Sequence, residues 1–387
     1  MKLIESQLDT LAKQGLLRRR RVADSPCGPE MVIDGKAVLA FASNNYLGLA
    51  ADPRLIEAAC EGARAWGVGA GASHLLGGHF RIEDELEQRL AAFVGAERAL
   101  LFSTGYLANI GVVTAMAGRS DSVFSDRLNH ASLIDAVRLS LAENHRYPHA
   151  DMAALGRMLG ESYADNKLIV TDSVFSMDGD IAPLPQILEW AEKFDARVII
   201  DDAHAFGVLG PQGRGTAAHF GLPLSRRLLV VGTLGKAAGV SGAFVAGPAD
   251  TIEWLLQTAR TGIFTTAAPP LLASALLESL KLVEAADDRR EHLRNLIARL
   301  RAGVEPICAR TSWKLPASQT PIQPLIIGGN QEALAVSDGL VARGIWVPAI
   351  RPPTVPQGAA RLRISLSATH TADQVDRLIA ALDEIAT

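Results

Sequence analysis

The feature that most constrains the fold is an alternation of short apolar runs with helical stretches between about residues 45 and 275. Several runs are apolar at nearly every position, which is typical of parallel strands covered by helices on both faces of a sheet. The candidate strands span residues 99–102, 123–124, 168–171, 198–200, 228–231 and 243–246. The pattern therefore predicts an α/β fold with a mostly parallel sheet flanked by helices.

The chain has 387 residues, which is long enough for more than one hydrophobic core. We expect an N-terminal helix and arm over residues 1–45, a large domain over 46–275 and a small α+β domain over 276–387. The alternation of strands and helices defines the large domain, and a long helical stretch leads from it to the small one.

Three helices are predicted outside the alternating region. The spacing of leucine and isoleucine predicts an amphipathic helix over residues 3–17, which ends in a run of four arginines at 18–21. The same spacing predicts one long helix over roughly 276–300. Thr371 and Gln374 form the sequence pattern of a capping box, which predicts the start of the last helix. Its apolar stripe, expected to pack inside the protein, consists of Val375, Leu378, Ile379, Leu382 and Ile385.

Composition excludes several functional classes. The formal net charge of −4 offers no basic surface of the kind that nucleic acid requires, and no apolar run reaches the roughly 18–20 residues of a membrane span. The cysteines, Cys27, Cys60 and Cys308, are scattered and form no metal-binding motif with histidine. The first residues include Glu5 and Asp9 and lack the apolar core of a signal peptide. We therefore expect a cytoplasmic protein that binds no metal, nucleic acid or membrane.

The strongest chemical signal is a pair of turns at the ends of two predicted strands. Strand 198–200 leads into Asp201, and strand 228–231 leads through Thr233 into Lys236. Open α/β sheets bind ligands at the carboxyl ends of their strands. A lysine and an aspartate there suit pyridoxal phosphate (PLP), because the amine forms a Schiff base and the carboxylate keeps the pyridine nitrogen protonated. Lys236 is therefore the predicted catalytic centre.

Three other strand ends carry polar residues that admit two interpretations each. The turn at Gly105 is either a plain strand–helix connection or a set of backbone N–H groups that faces an anion. His130 is either a structural histidine or an imidazole that stacks on a pyridine ring. Ser176 belongs either to an ordinary aspartate–glycine turn or to the cofactor site, as a hydrogen-bond donor. The order of these signals along the chain favours the cofactor interpretation.

The chain resembles the α-oxoamine synthase family of fold-type-I PLP enzymes over nearly its whole length. The matching segments are Ser-Asn-Asn-Tyr-Leu-Gly from Ser43, Gly-Tyr from Gly105, residues 126–130, Val-Phe-Ser-Met-Asp-Gly-Asp from Val174, Asp-Asp-Ala-His from Asp201 and Thr-Leu-Gly-Lys from Thr233. The resemblance implies a PLP-dependent acyltransferase that condenses a small amino acid with an acyl thioester and releases CO2. The chain departs from the family pattern at Asn45, His74, Glu83 and Ala205.

The resemblance also implies roles for residues that hold the cofactor. Lys236 forms the covalent link to PLP and moves the α-carbon proton, Asp201 pairs with the pyridine nitrogen, and His130 stacks on the ring. The remaining assignments are Ser176 and His204 to the phenolate oxygen of the ring, Gly105, Tyr106 and Thr233 to the phosphate, and Thr265 or Thr266 to the phosphate of the neighbouring subunit in a homodimer. The implied catalytic set is Lys236, His130, Asp201 and His204.

The substrate residues implied by the resemblance come from other parts of the chain. Arg363 would clamp the carboxylate of the amino acid, a task that suits a guanidinium group because it can donate two parallel hydrogen bonds. Asn44 and His130 would lie beside the substrate, Thr354 would touch it, and Arg18 would lie near the entrance for the acyl chain.

Residues 349–356, Ala-Ile-Arg-Pro-Pro-Thr-Val-Pro, are similar to the family members that use L-alanine and a pimeloyl thioester in biotin biosynthesis. Two alternatives stay open: a sister enzyme, such as a glycine C-acetyltransferase or a synthase of a long-chain amino ketone, and a non-enzymatic protein of the same fold. The acyl carrier is also open, because the arginine run at 18–21 suits either the phosphates of coenzyme A or an acidic acyl carrier protein.

Overall fold

The chain forms two compact units in a computed structural model, which describes residues 2–386. The first unit contains the residues up to Gly48, Met177–Asp180 and the residues from Asp288 onward. The second contains Leu49–Ser176 and Ile181–Asp287. The domain boundaries predicted from the sequence stay a prediction, because compactness does not measure independent folding.

Thirteen strands and fourteen α-helices lie within the described residues. The strands are β1 (Glu30–Ile33), β2 (Lys36–Ala40), β3 (Arg98–Phe102), β4 (Ser122–Asp126), β5 (Glu143–Tyr147), β6 (Lys167–Asp172), β7 (Ala196–Asp201), β8 (Leu228–Thr233), β9 (Ala243–Gly247), β10 (Ile322–Gly328), β11 (Ile345–Trp346), β12 (Ala349–Ile350) and β13 (Ala360–Ser365). The helices are α1 (Lys2–Lys13), α2 (Pro53–Trp66), α3 (Arg81–Val94), α4 (Gly105–Met116), α5 (Ala131–Ser140), α6 (Met152–Glu161), α7 (Leu184–Lys193), α8 (Thr216–His219), α9 (Ala249–Thr258), α10 (Arg260–Ile263), α11 (Leu271–Glu284), α12 (Asp287–Ala309), α13 (Asn330–Ala342) and α14 (Ala372–Ile385). Short 3-10 turns occur at His74–Leu76 and Pro211–Gly213.

The second unit is built on a seven-stranded sheet with the order β3-β9-β8-β7-β6-β4-β5. The neighbours from β8 to β5 are parallel, whereas β9 pairs antiparallel with β3 and β8. All six predicted strands are present and are one to three residues longer than predicted. The prediction of a mostly parallel sheet flanked by helices is therefore confirmed.

The seventh strand, β5, was not among the predicted strands. Its sequence, Glu-Asn-His-Arg-Tyr, is mostly polar, and it pairs with β4 at the edge of the sheet. Polar and charged residues on an edge strand discourage further pairing with another chain. The same residues hide the strand from a search for apolar runs.

Strand β7 shows why these strands are apolar on both faces. Successive side chains of a strand point to opposite sides of the sheet. Ile199 packs into a core that includes residues of α4, α5 and α9, whereas Val198 and Ile200 pack into a core with residues of α6 and α7. All three isoleucine and valine side chains are fully buried, and each such burial contributes about 1.5–3 kcal/mol to stability.

The first unit has the α+β character that the sequence predicts. It contains two three-stranded sheets, β1-β2-β11 and β10-β13-β12. Strand β13 lies in the middle of the second sheet, antiparallel to both neighbours, and all six of its residues are buried. This central position explains why two arginines of β13 have their side chains inside the protein.

The predicted helix over residues 3–17 is too long at its carboxyl end. Helix α1 ends at Lys13, and Gly15 adopts a left-handed φ of 65°. The N–H of Leu16 then donates back to the carbonyl of Leu11. A glycine in this conformation is a common helix stop, because it has no Cβ to oppose a positive φ.

The single helix predicted over 276–300 is wrong, because the structure has two helices there. Helix α11 ends at Glu284, and α12 begins at Asp287. The junction contains two alanines followed by two aspartates. Aspartate favours helix starts over helix interiors, because its side chain competes for nearby backbone groups. A periodic leucine pattern alone did not reveal the interruption.

The last predicted helix is confirmed as α14. Thr371 Oγ1 accepts the Gln374 N–H at 3.2 Å, and Gln374 Oε1 accepts the Thr371 N–H at 3.0 Å. Val375, Leu378 and Leu382 of the apolar stripe are buried. Among the helices of the described residues, none combines the length and the apolar character needed to cross a membrane.

Candidate active site

Parallel strands of the second unit end in the residues that the sequence singled out. Strands β6, β7 and β8 end at Asp172, Asp201 and Thr233, and they are direct neighbours in the sheet. Their carboxyl ends therefore lie at one edge, where open α/β sheets bind ligands. The turns after β4, β6, β7 and β8 carry His130, Ser176, His204 and Lys236.

Lys236 lies half-buried in the turn between β8 and β9. Its Nζ is 2.9 Å from Nε2 of His204, in the turn that follows the neighbouring strand β7. The Lys236 carbonyl accepts the N–H of Gly239, whose φ is 73°. A Cβ on Gly239 would lie 2.7 Å from backbone atoms of Leu49 and Ala50. The turn that presents the lysine therefore requires glycine for both conformation and space.

Asp201 is a buried acceptor with two fixed donors. It is 7% exposed; its Oδ2 accepts the side-chain N–H of Asn109 at 2.6 Å, and its Oδ1 accepts the backbone N–H of Ala203 at 3.0 Å. A carboxylate oriented in this way cannot rotate freely. Its position at the end of β7 suits the role of a carboxylate that keeps the nitrogen of a bound ring protonated.

His130 caps helix α5 and belongs to the same hydrogen-bond network. The Asn109 amide donates to Ser132 Oγ at 2.9 Å as well as to Asp201, and Ser132 Oγ lies 2.7 Å from His130 Nδ1. The Ser132 backbone N–H also points to His130 Nδ1, at 3.3 Å. Because Nδ1 accepts, the proton of the neutral imidazole resides on Nε2. The chain Asp201–Asn109–Ser132–His130 is continuous.

The environment of His130 keeps its imidazole neutral. Burial lowers the pKa of His130 from its ordinary value; the charge of Asp201 opposes this and the charge of Lys236 adds to it. A neutral ring with a fixed tautomer suits stacking on a cofactor better than a charged one. That both Asp201 and Lys236 act on His130 also shows that the three side chains are neighbours.

Two further buried acids surround this network. Asp172 accepts the backbone N–H of His130 at 2.9 Å, and burial, with Asp201 adding to it, raises the pKa of Asp172 well above its ordinary value. Asp202 accepts the hydroxyl of Ser173 at 2.6 Å, and burial raises its pKa as well. Both acids accept hydrogen bonds at the strand ends, and the charge of Lys236 opposes the rise of the pKa of Asp172.

The turn at Gly105 has the geometry of an anion site. Thr104 caps α4 by accepting the N–H of Leu107 at 3.2 Å, and Gly105 is the first residue of this helix. A Cβ on Gly105 would lie 3.8 Å from Thr233 Oγ1, so the helix start and the end of β8 are adjacent. Backbone N–H groups at a helix start attract a phosphate. The Tyr106 hydroxyl donates to Asp135, and this hydrogen bond raises the pKa of Tyr106.

Three other predicted residues lie in turns and loops of the second unit. Ser176 is half-buried in the turn after β6. Thr265 and Thr266 lie in the loop that follows α10, the first half-buried and the second exposed. Their predicted contact with the cofactor of another subunit stays a prediction.

Arg363 contacts polar side chains within the first unit. It is 6% exposed, and its Nη1 donates to Ser365 Oγ at 2.7 Å and to Asn44 Oδ1 at 3.0 Å. Its Nη2 lies 3.4 Å from the hydroxyl of Tyr46, which also donates to Asn44 at 3.1 Å. Arg361, two residues earlier, instead forms an ion pair with Asp178 at 2.7 Å. The two arginines of β13 therefore differ in their contacts: Arg361 pairs with an acid, and Arg363 contacts Asn44, Ser365 and Tyr46.

The remaining substrate predictions fall on exposed parts of the first unit. Arg18 and Thr354 are exposed. Burial and the nearby charge of Arg18 lower the pKa of Arg351, which places those two arginines near each other. Asn45, where the sequence departs from the family pattern, is 7% exposed, and its carbonyl accepts the hydroxyl of Ser367 at 2.7 Å. This departure therefore changes a buried side chain.

The side chains of the second unit fit PLP, the cofactor that the sequence predicts. The amine of Lys236 suits the aldehyde, the carboxylate of Asp201 suits the ring nitrogen, and the neutral imidazole of His130 suits the face of the ring. The buried side-chain amide of Asn109 donates hydrogen bonds to Ser132 and to Asp201 and so orients this set. Backbone N–H groups at Gly105 complete the arrangement for the phosphate.

Sequence reasoning missed Asn109, Ser132 and Asp172 as parts of this site. One signal was available for Asn109, because it lies four residues after Gly105 and therefore one helical turn along the same face of α4. Asp172 directly follows the predicted strand 168–171, like Asp201 after its strand. Ser132 gave no signal beyond its place at a helix start.

Comparison with known proteins agrees with this geometry. A family model described as aminotransferase class I and II matches residues 36–382. The chain is 59% identical over 383 residues to the 8-amino-7-oxononanoate synthase of Herminiimonas arsenicoxydans, with 98% of each chain covered. It is 60% identical over 382 residues to the enzyme of that name from Azoarcus sp., with 99% of this chain and 97% of the relative covered.

A solved structure with a bound cofactor shares the fold. It is a serine palmitoyltransferase variant from S. paucimobilis with a bound PLP–myriocin aldimine. The TM-score is 0.92 at 31% identity, and the match covers 99% of this chain and 96% of that one. The fold is therefore that of a PLP enzyme over almost the whole chain.

Proposed function

The chain belongs to the aminotransferase class I and II family, and we propose from this that it condenses L-alanine with a pimeloyl thioester in biotin biosynthesis. The products are 8-amino-7-oxononanoate, CO2 and the free thiol carrier, so the protein is a PLP-dependent acyltransferase. The relatives at 59% and 60% identity are named for this product. This identity carries the proposed substrates, and the Lys236 amine, 2.9 Å from His204 in the turn after the strand beside β7, supports the PLP chemistry.

The chemistry divides between the cofactor and four side chains. When bound, PLP supplies an electron sink for the bonds that break at the α-carbon of the amino acid. Asp201, oriented by Asn109, would keep the ring nitrogen protonated. Lys236 Nζ would take the α-carbon proton and later return it, and His204 Nε2 would orient that amine. His130 would lie against the ring and limit its movement.

For the carboxylate of L-alanine we propose Arg363, the residue that the family resemblance assigns to this role. Its support is the rigid guanidinium described above, which donates to neutral oxygens of Asn44 and Ser365. A guanidinium can bind a carboxylate through two parallel hydrogen bonds. For the acyl substrate we keep Arg18 and Thr354 as the proposed contacts.

A second candidate function is another member of the α-oxoamine synthases. The observation that favours it is the match to serine palmitoyltransferase, at a TM-score of 0.92 over 99% of this chain. A glycine C-acetyltransferase or a synthase of a long-chain amino ketone would use the same lysine site. The choice therefore depends on the substrates and not on the site around Lys236.

The deciding experiment compares amino acids and acyl carriers. The PLP-loaded protein is incubated with L-alanine, glycine or L-serine, each with pimeloyl-CoA or with a pimeloyl acyl carrier protein. CO2 release and the mass of the amino ketone are measured. We expect the highest kcat/KM with L-alanine. Equal rates with glycine would favour the sister enzyme, and no product with any pair would contradict the proposal. The two carriers show which thioester the protein uses.

A second experiment tests Lys236 directly. Borohydride should fix PLP to Lys236 in the wild-type protein, as seen by peptide mass, and Lys236→Ala should abolish this modification. We expect kcat of the variant to fall by about 10²–10⁴-fold, because it lacks the proton-transferring amine. Lys193→Ala, which removes a lysine over Trp190 on helix α7, is the control. A normal rate in Lys236→Ala would refute the mechanism.

We also propose a cytoplasmic homodimer in which Thr265 or Thr266 reaches the phosphate of the neighbouring subunit's cofactor. Mixing subunits tests this arrangement. A dimer of Lys236→Ala with the double variant Thr265→Val/Thr266→Val should contain one intact site, whereas each variant alone has none. Recovery of activity on mixing is expected, and its absence would contradict a shared site.

A further inference from the structure

A group of metal-ligating side chains lies outside the residues assigned to the reaction. It is formed by the 3-10 turn His74–Leu76 and the residues that lead into helix α3. His74 Nδ1 and His79 Nδ1 are 3.0 Å apart. One ligand atom from each histidine and one from Glu83 all lie within 4.8 Å of one another. Two imidazole nitrogens and a carboxylate form a ligand set that zinc uses in proteins.

The spacing of the two histidines matches joint ligation. In tetrahedral zinc sites the Zn–N distance is about 2.0–2.1 Å, which places two ligand nitrogens about 3.3 Å apart. The Nδ1 atoms here are 3.0 Å apart, so a small rotation of either ring would give that spacing. Without a cation, one ring must donate its only N–H to the lone pair of the other. Nδ1 of each ring thus points toward the same region.

The third ligand is unusual because it is buried. Glu83 is 2% exposed, and its Oε2 accepts the backbone N–H of Phe80 at 2.8 Å. His74 and Glu83 also line a cavity of about 30 Å³, whose other walls include Leu86 and Leu101. Burying a carboxylate among apolar side chains costs free energy unless a cation or further donors compensate for it. The small cavity beside His74 and Glu83 and the buried carboxylate of Glu83 are therefore both compatible with a small cation.

A second set of ligands shares one histidine with the first. Ligand atoms of His79, Asp84 and Glu87 also lie within 4.8 Å of one another. His79 therefore joins two overlapping groups, and the first turns of α3 supply further carboxylates. Mixed nitrogen and oxygen ligands favour a divalent transition metal over calcium or magnesium.

We propose that His74, His79 and Glu83 bind one divalent transition-metal cation, for which Zn²⁺ is the best match. Asp84 or a water molecule completes the coordination. The cation links the 3-10 turn to the start of α3 and stabilises this segment against unfolding. The site is independent of the proposed condensation reaction.

The experiment uses the PLP-loaded, tag-free protein after treatment with EDTA. Zn²⁺ is titrated by calorimetry, Co²⁺ by its visible absorption, and melting temperature is recorded with and without Zn²⁺. We expect one Zn²⁺ per chain, a cobalt spectrum of tetrahedral type and a higher melting temperature with metal. His79→Gln should weaken binding by about 10–100-fold or more, because loss of a ligand exceeds loss of an outer partner.

Two variants separate this site from unspecific binding. His145→Gln is the matched control, because His145 has a nearby carboxylate, Glu143 at 3.5 Å, but belongs to neither group of three ligands. It should bind Zn²⁺ like the wild type. His74→Gln provides a second test if His79→Gln does not fold. No saturable binding, or equal binding by His79→Gln and His74→Gln and the wild type, would overturn the proposal.

Discussion

Asn109 links two residues that the sequence assigned to separate roles. Its amide donates to Asp201 at 2.6 Å and to Ser132 at 2.9 Å, and Ser132 in turn contacts His130. One buried side chain therefore links the carboxylate proposed for the ring nitrogen with the imidazole proposed for the ring face. Hydrogen bonds to charged groups contribute about 1.5–3 kcal/mol each, so loss of the Asn109 amide should have a measurable effect.

Asn109→Ala should lower kcat/KM by about 10–150-fold, which corresponds to the loss of one hydrogen bond to a charged group. The pH dependence of the absorption of bound PLP should shift too, because Asp201 loses a donor. Asn166→Ala is the control, since the Asn166 amide donates to the Met116 carbonyl at 3.0 Å and contacts no predicted site residue. An unchanged kcat/KM and spectrum in Asn109→Ala would show that the network has no part in catalysis.

Arg363→Lys should raise the KM for L-alanine by about 10–100-fold with a smaller change in kcat, because lysine keeps the charge but loses the bidentate geometry. Steady-state kinetics with varied L-alanine measure this. Arg299→Lys alters an exposed ion pair with Asp376 and should leave the KM unchanged. If Arg363→Lys behaves like this control, the carboxylate binds elsewhere.

At the scale of secondary-structure elements, the site depends on the turns that follow parallel strands. The turn after β8 carries Lys236, and its Gly239 approaches the backbone of Leu49 and Ala50. The turn after β7 carries His204, and Asp202 in the same turn bonds to Ser173 after β6. The turn after β8 therefore packs against Leu49 and Ala50, and the turn after β7 is bonded to the turn after β6, so both turns hold their residues in defined positions.

Gly239→Ala should lower the free energy of unfolding by about 1–3 kcal/mol and weaken PLP binding, because the new Cβ meets backbone atoms in a left-handed conformation. Urea unfolding and PLP titration measure the two effects. Gly221→Ala is a matched control, since Gly221 has a φ of 66° but open space around its Cβ position. Gly221→Ala should lower the free energy of unfolding less than Gly239→Ala does, and it should bind PLP normally. Equal losses would mean that the close approach at Gly239 has no consequence.

At the scale of the whole molecule, buried acids connect stability with pH. Burial raises the pKa of both Asp172 and Asp202. Between the ordinary value of 3.8 and the raised value, the folded protein retains a proton that the unfolded chain has lost. The contribution of these carboxyls to stability is therefore largest at low pH and declines as the pH rises through this window.

Asp202→Asn should remove part of this decline, because an amide does not titrate. The free energy of unfolding of the wild type minus that of Asp202→Asn should become smaller as the pH rises from about 4 to 8. Urea unfolding at several pH values measures the difference. A difference that is constant, or that grows with pH, would contradict a raised pKa at Asp202.

The sequence predicted much of the fold and the central part of the site. Apolar runs located six of the seven strands in the main sheet, because buried parallel strands need apolar residues on both faces. The edge strand β5 was not predicted because it is mostly polar and forms no apolar run. The break between α11 and α12 was not predicted because the periodic leucine pattern continues across it. Lys236 and Asp201 were predicted as site residues because each follows an apolar strand at a position where open sheets bind ligands.

The sequence by itself determined which residues could do the chemistry: a lysine, an aspartate and a histidine placed after strands, in an order that resembles one enzyme family. Only the tertiary structure decided how they are held. Asn109 and Asp201 are 92 positions apart in the chain, yet their side chains are 2.6 Å apart. Ligand atoms of His74, His79 and Glu83 lie within 4.8 Å of one another although the spacing of these residues in the chain matches no metal-binding motif. The physical reason is that propensity and periodicity act over a few residues, whereas hydrogen-bond networks and ligand clusters depend on distances that packing alone sets.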